Sequence, residues 1–356
     1  VAIALTAQQA YSNARYSPEQ LRTLRDTNPA ATGLDAAVDL LDERFASIVG
    51  RPRLGSEQVG LLLSGGVDSA LTLALLVRAG YRPRCFTAQA EGSEDGEAAA
   101  ALARSFGVPW TGVDLTVEGV RARLEPVVRA LGHWGVRSVA SGLLLDALVT
   151  AAKHAGTHEV WTGSGLGVVF GGGTPRREMD KGRGRTFHER FWERTLTLVE
   201  RDYGGEDPIN VHGTIGSVHG LRMRMPFEGF PTARLARRLD ASVLYGDDGE
   251  DKVPLRRLAE RLGVPRELAT RTKASCGMFG LLEQLMREDA SLWCPEDLDC
   301  PPSDEALLGL RYFLARVASD VSPLRLMAAQ VSARRRTEAP APALAALAPR
   351  RRARRG

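Results

Sequence analysis

Six consecutive residues, Ser64-Gly65-Gly66-Val67-Asp68-Ser69, carry the clearest chemistry in this chain of 356 residues. Gly65 and Gly66 have no side chain, so a polyanion can approach the backbone closely there. Ser64 and Ser69 add hydroxyl donors. Asp68 is the odd member, because a carboxylate facing phosphates repels them unless a cation lies between. Its simplest role is therefore that of a Mg2+ ligand. The flanking elements suit this use. Val59 to Leu63 is a short apolar run ending at glycines, the pattern of a strand buried on both faces of a parallel sheet. After Asp68, Leu71, Leu73, Leu75, Leu76 and Val77 sit among alanines until Gly80 closes a helix. Such a strand–turn–helix unit aims the unpaired N–H groups of the helix start, and its dipole, at an anion.

An ordinary capped turn is the plain alternative, but the hexad sits in the strand–helix context that a phosphate loop requires. A Walker loop needs Gly-Lys-Ser/Thr and a dinucleotide fingerprint needs Gly-x-Gly-x-x-Gly, and neither occurs here. The hexad resembles the turn that wraps the pyrophosphate end of ATP in enzymes that cut between the α and β phosphates.

The elements around the turn alternate. Strands are expected at Arg84–Ala88, Trp110–Leu115 and Glu159–Thr162, with helices at Glu94–Phe106, Val120–Leu131 and Ser138–Ala155 between them. That order implies an α/β fold, a parallel sheet with helices on both faces and ligands at the carboxyl ends of its strands. Tyr16-Ser17-Pro18-Glu19-Gln20 reads as a capped helix start, and Leu34–Val49 as an amphipathic helix. Past Gly173 the strand signal fades. Helices are expected at 189–200, 233–239, 255–262, 281–287, 304–318 and 323–332. The expected organisation is a helical preface over 1–55, an ATP-binding α/β domain over 56–175, a helical substrate-side region over 176–335 and a disordered Arg-rich tail over 336–356.

Hydrophobic and charged contents of 44% and 25% are those of a soluble globular protein with ample core. No apolar run approaches membrane-spanning length, and Val1 to Leu5 lacks a basic n-region, so a cytoplasmic protein without a membrane partner is expected. Cys85, Cys276, Cys294 and Cys300 lack C-x-x-C spacing and read as reduced thiols. The net charge of +4 is uneven: eight arginines from Arg334 to Arg355 against the single Glu338 put +7 on the end of the chain and leave −3 on the rest. The tail reads as a solvated extension, with an acidic partner or nucleic acid as its alternative contact.

Six landmarks together resemble the synthetase domain of asparagine synthetase and β-lactam synthetase, within the PP-loop ATP pyrophosphatases. They are Ser64–Ser69; Glu94-Asp95 with Ala99, Ala103 and Gly107; Thr162-Gly163-Ser164-Gly165 with Phe170-Gly171-Gly172; His219-Gly220-Leu221 with Arg224-Met225-Pro226-Phe227; Lys252 with Leu255-Arg256; and Arg271-Thr272-Lys273 with Gly277 and Phe279. The resemblance runs in order from about residue 35 to 280. It implies an adenine nucleotide alpha hydrolase-like fold and an AMP-forming ligase that uses ATP and Mg2+. In such a ligase a substrate carboxylate attacks the α-phosphate, and an amine or ammonia then displaces AMP. By the same resemblance Leu63, Ser64, Gly65, Gly66, Val67, Asp68, Ser69 and Gly163 would hold the nucleotide, with Ala88 near adenine. Lys252 would stabilise charge on the phosphates and in the tetrahedral step, and Lys273 would face the pyrophosphate. Asp68, Lys252 and Lys273 are the expected catalytic set. Arg224 is open between a phosphate contact and a structural ion pair.

The departures are equally specific. The family's acidic loop residues, one a proton-transfer group and one the second Mg2+ ligand, fall on Ser164, Gly167 and Val168, and the Asp after Pro-Phe becomes Gly229 beside Glu228. Glu178, Asp180 and Glu228 are candidate replacements. No glutaminase domain with its amino-terminal Cys is recognised, so ammonia would come from solution or a supplying or carrier partner protein, unless the amine belongs to a second substrate of specialised metabolism. Two other readings stand beside the ligase. One is a sulfurtransferase using Cys276, and the other is a non-catalytic nucleotide-binding relative.

Overall fold

The computed structural model describes residues 16–27, 33–52, 55, 57–90, 93–132, 135–172, 186–203, 211–246, 250–272 and 277–288, with the single positions 314 and 317. The first helix, α1 (Pro18–Asp26), opens as the sequence predicts. The Ser17 hydroxyl accepts from the Gln20 amide at 3.1 Å, and the Gln20 side chain accepts from the Ser17 amide at 2.8 Å. This reciprocal capping box satisfies two amides that the helix start leaves unpaired. Helix α2 (Leu34–Val49) buries Ala37, Val38, Leu41, Phe45 and Val49, one stripe at helical spacing.

The sheet core follows as β1 (Gln58–Leu62), α3 (Val67–Ala79), β2 (Arg82–Gln89), α4 (Asp95–Ser105), β3 (Trp110–Asp114), α5 (Val117–Leu131), α6 (Val136–His154) and β4 (Glu159–Thr162). Then come α7 (Leu166–Val169), α8 (Phe187–Tyr203), α9 (Val211–Val218), β5 (Arg222–Arg224) and α10 (Phe230–Arg237). A 3-10 turn (Ala241–Leu244), α11 (Val253–Arg261), α12 (Arg266–Ala269) and α13 (Met278–Glu288) complete the described elements.

Five strands form one sheet in the order β3-β2-β1-β4-β5, every pair parallel. Alternation along the strands splits the core in two. Val59, Leu61, Leu63, Cys85 and Trp161 face α2, α3 and α11, whereas Phe86, Ala88 and Val160 face α5, α6, α9 and α13. The α/β architecture with helices on both faces is therefore as expected. Within the first layer Phe45 meets Phe227 and Phe170 edge-on at 4.9 and 6.1 Å. Each such pair contributes about 0.5–1.5 kcal/mol beyond its burial. Burial also pushes the Cys85 thiol up to about 12, so it is an inert core residue.

Strand β5 is the element the sequence reading lacks. It is three residues long, and only Met223 is buried. Arg222 and Arg224 make it a charged edge, which protects a sheet from pairing with another chain. Because this strand comes from residues 222–224, an organisational divide at 175 cuts through the sheet. The expected tail and the helix at 323–332 lie outside the described residues, as does the helix at 304–318 apart from Leu314 and Val317, both helical. Among the described residues no single helix is long and apolar enough to cross a membrane.

Candidate active site

The strand order reverses between β1 and β4, so the loops leaving their carboxyl ends open a crevice above the sheet. The phosphate loop lies in one wall. Leu63 anchors it: its side chain is buried, its amide donates to the Phe86 carbonyl at 2.9 Å, and its carbonyl accepts the Thr87 hydroxyl at 2.6 Å. Gly65 then takes φ +70, a left-handed turn that suits glycine. The Ser69 hydroxyl donates to the Gly66 carbonyl at 2.9 Å and accepts the Ser64 amide at 3.1 Å. Ser69 is thus a staple that sets the loop's curvature, and Ser64 Oγ, 3.2 Å from it, is the hydroxyl nearer to free use. The amides of Gly66, Val67 and Asp68 have no acceptor among the described residues, as the first turn of a helix requires. This is an anion cradle.

Gly163, at the end of β4, closes the other wall. A Cβ there would sit 2.6 Å from the Asp68 carbonyl oxygen, so only glycine lets the two loops touch. Gly165, at φ +100, packs equally closely on the Phe227 carbonyl, which brings the Pro226-Phe227 segment against the same loop.

Lys252 enters from a distant part of the chain. Its Nζ lies 2.7 Å from Asp68 Oδ2, with side chains 12% and 28% exposed. It is the one non-glycine residue with positive φ among those described, at +56. That conformation costs about 1–2 kcal/mol for a residue with a Cβ, so the surrounding fold must impose it. Arg256 does so. Its guanidinium donates to the Asp251 carbonyl, the Asp251 carboxylate and the Ala269 carbonyl, each at 2.7 Å, while Leu255 is fully buried. The Lys252, Leu255, Arg256 spacing therefore divides into a site cation, a core anchor and a clamp. The Phe170-Gly171-Gly172 turn makes room: Phe170 is buried, a Cβ on Gly171 would meet Tyr245 Oη at 2.7 Å, and a Cβ on Gly172 would meet Lys252 Nζ at 2.8 Å.

A second ion pair, not foreseen from the sequence, stands on the other side of the loop. Arg271 Nη2 lies 2.8 Å from Asp95 Oδ1, and its Nη1 donates to the Gly65 carbonyl at 3.4 Å. Asp95 is 1% exposed. Both residues stand in the quoted motifs, but nothing in the sequence pairs an acid in the first turn of a helix with an arginine 176 positions on.

Other expected residues fall elsewhere. Arg224 Nε pairs with Glu159 Oε2 at 3.1 Å, and Arg222 shares that acid at 3.4 Å. Ala88 lies near the carboxyl end of β2 with its side chain buried in the second layer. His219 pairs with Asp146 at 2.7 Å, which Arg123 also meets at 3.2 Å, tying α9 to α6 and α5. Glu228 is buried with His212 Nδ1 4.0 Å from its carboxylate. Lys273, Cys276, Glu178 and Asp180 lie outside the described residues.

The expected Mg2+ does not fit these donors. Asp68 Oδ2 already holds an ammonium, and Oδ1 is buried with no hydrogen-bond partner among the described residues. Ser164, Gly167 and Val168 supply no carboxylate. Among the described residues no group of three or more His, Cys, Asp or Glu side chains comes together. Mg2+ in such sites is bound by one or two carboxylates together with phosphates and water, and here the one carboxylate in the phosphate loop already carries a cation.

A parallel sheet with a strand–loop–helix anion cradle at its switch point is the arrangement by which open α/β sheets bind phosphate groups. The asparagine synthase family model matches residues 51–203, and this stretch is similar to an asparagine synthase domain. No curated protein matches the chain. Among solved structures, NMN synthetase from Francisella tularensis is 13% identical over 84% of this chain and 93% of that one, with a TM-score of 0.33. A predicted subunit of tRNA methyltransferase from Methanocaldococcus jannaschii is 15% identical over 61% and 94%, at 0.29. Glutamine-dependent NAD+ synthetase from Acinetobacter baumannii, in complex with ADP, is 16% identical over 90% of this chain at 0.34, and this chain spans 48% of its length.

Proposed function

We propose that the protein is an AMP-forming ligase that adenylates a small-molecule carboxylate and joins it to an amine or ammonia. A carboxylate oxygen attacks the α-phosphorus, the bond to the bridging oxygen breaks, and pyrophosphate leaves with that electron pair. The amine nitrogen then attacks the acyl carbon, AMP departs as the C–O bond breaks, and the nitrogen gives up one proton to the departing phosphate or to water. The observation that carries this reading is the Lys252 ammonium beside the phosphate loop. A cation held in a partly buried site stabilises charge that develops on phosphate and acyl oxygens, and it needs no reorganisation during the reaction. The amides of Gly66, Val67 and Asp68 would receive the departing pyrophosphate.

The test is ATP–pyrophosphate exchange across a panel of carboxylates, followed by product analysis with ammonia and simple amines. Exchange with one carboxylate class, and AMP as the nucleotide product, is the expected result. Formation of ADP instead would overturn the reading. Asp68→Ala and Lys252→Ala should each abolish the exchange. Retained exchange in both would equally remove the site from the mechanism.

A further inference from the structure

We propose that Lys252, and not a bound metal ion, is the resident cation of Asp68, so that this chain binds nucleotide phosphates with little dependence on a divalent ion. The inference rests on the nucleotide reading above and concerns how the site balances charge.

Three features support it. First, the carboxylate has no solvent-open oxygen, although Oδ1 is unpaired among the described residues. Lys252 Nζ occupies Oδ2 at 2.7 Å and Oδ1 is buried, so a hydrated divalent ion must displace the ammonium before it can coordinate. Second, the lysine is built into place. Its left-handed backbone is fixed by the Arg256 clamp, and its side chain runs through a slot that a Cβ on Gly172 would block. A lysine that only filled a vacancy would need neither device. Third, Gly167 itself brings no acid to the pair. A Cβ on Gly167 would stand 3.5 Å from Lys252 Nζ and 3.6 Å from Asp68 Oδ2, so glycine leaves a methyl-sized space beside the pair where a carboxylate-bearing residue would otherwise reach both. An ammonium has three donors, and one carboxylate uses one of them. The others remain for phosphate oxygens. Asp68 then holds the lysine in position and is relieved of the repulsion that an unpaired acid would exert on the nucleotide.

Calorimetric titration with α,β-methylene-ATP, in EDTA and in Mg2+ at equal ionic strength, tests this on the full chain. The dissociation constants should agree within about threefold. Mn2+ followed by electron paramagnetic resonance without nucleotide should show no specific site. Lys252→Met should weaken binding in EDTA by about 10- to 100-fold, the size of a charge-assisted contact, with an unchanged circular dichroism spectrum. In that variant Asp68 is freed, so a Mn2+ signal should appear and should vanish in the double variant with Asp68→Asn. Gly167→Asp, whose Cβ would stand at ordinary contact distance from Lys252 Nζ and Asp68 Oδ2, should create a Mn2+ site in the otherwise native chain. A parent protein that needs Mg2+ for a tenfold or greater gain in affinity, or that binds Mn2+ through Asp68 without nucleotide, overturns the inference and leaves the ligase reading standing. No nucleotide binding in either condition overturns the nucleotide reading itself, and this inference with it.

Discussion

Asp68 and Asp95 stand on opposite sides of one phosphate loop, and among the described residues each is matched by one cation from later in the chain. The two pairs have nearly equal separations, 2.7 Å to Lys252 and 2.8 Å to Arg271. Their settings differ. Asp95 is sealed at 1% exposure, and its arginine also reaches the Gly65 carbonyl, so this pair belongs to the foundations of the loop. Asp68 keeps 28% exposure and its lysine 12%, facing the crevice where β1 and β4 part. A sealed pair fixes geometry, because neither charge can be lent to a ligand without stranding the other. A pair at the edge of the crevice can share its cation with an incoming anion. On the proposed ligase reading, position relative to solvent, more than the distance between charges, separates scaffold from machinery.

The largest expected difference between the pairs is in turnover. Lys252→Met should lower AMP release by at least about 100-fold, the range for removing one preorganised charge-stabilising group. Its melting temperature should stay close to the parent's, and scanning calorimetry beside a pyrophosphate-release assay reads both quantities. Asp95→Ala should do the reverse. It strands Arg271 in a largely buried position, which costs about 3 kcal/mol or more. In a domain of this size that lowers the melting temperature by about 6–12 °C. Nucleotide affinity measured well below that temperature should change by less than about tenfold, a smaller loss than breaking a sealed pair causes in stability. If Asp95→Ala abolished binding in a chain that still folds, the assignment of that pair to the scaffold would fail.

The contrast also marks what could be read from residues alone. The phosphate loop was legible because an apolar run, two glycines and a leucine-rich helix are local features, and β1 to β4 appear within a residue or two of their expected limits. Asp68 was legible because an acid in a phosphate cradle requires an explanation. Lys252 was visible only through motif spacing, and its pairing with Asp68, across 184 residues, was not visible at all. Asp95 resembled any acid favoured by a helix dipole. Strand β5 was hidden because Arg-Met-Arg carries one buried residue, too little for periodicity to register. Gly171 and Gly172 read as a loop marker, whereas the structure shows them making space for Tyr245 and Lys252.

Those two glycines give a finer probe. Gly172→Ala places a Cβ against the Lys252 side chain, 2.8 Å from Nζ and 3.0 Å from the Gly167 Cα, and the lysine must yield. Nucleotide affinity in EDTA should fall by about tenfold, on the order of one ion-assisted contact, with modest loss of stability. Gly171→Ala meets the Tyr245 hydroxyl instead and strains a residue at φ +86, which costs about 1–2 kcal/mol of stability. Affinity should hold. Adjacent substitutions would then fall on opposite sides of the division that separates the two ion pairs.

The smallest expected effect is a pH dependence of stability that the site does not share. His188 and His212 are both held below the usual imidazole range, because burial disfavours their charged forms, although Asp240 and Glu228 respectively oppose the shift. Neither ring forms a hydrogen bond or ion pair with Asp68, Lys252, Asp95 or Arg271; their partners are Arg237, Ala241 and Asp240 for one and Glu228 for the other. With the folded-state values depressed, the unfolded chain takes up protons first as pH falls. Stability is full above the ordinary imidazole value near 6.5 and is lost as pH falls through it toward the folded-state values, below which both states are protonated and the loss stops growing. Melting temperatures should therefore decline between pH 7.5 and 5.5, and the double variant His188→Gln, His212→Gln should flatten that slope. Affinity for α,β-methylene-ATP, measured at both pH values well below the melting temperature, should not follow the same curve. If it did, the helical side would be coupled to the phosphate loop through Glu228, whose backbone packs on Gly165, and the division between scaffold and machinery would have to be drawn through that contact.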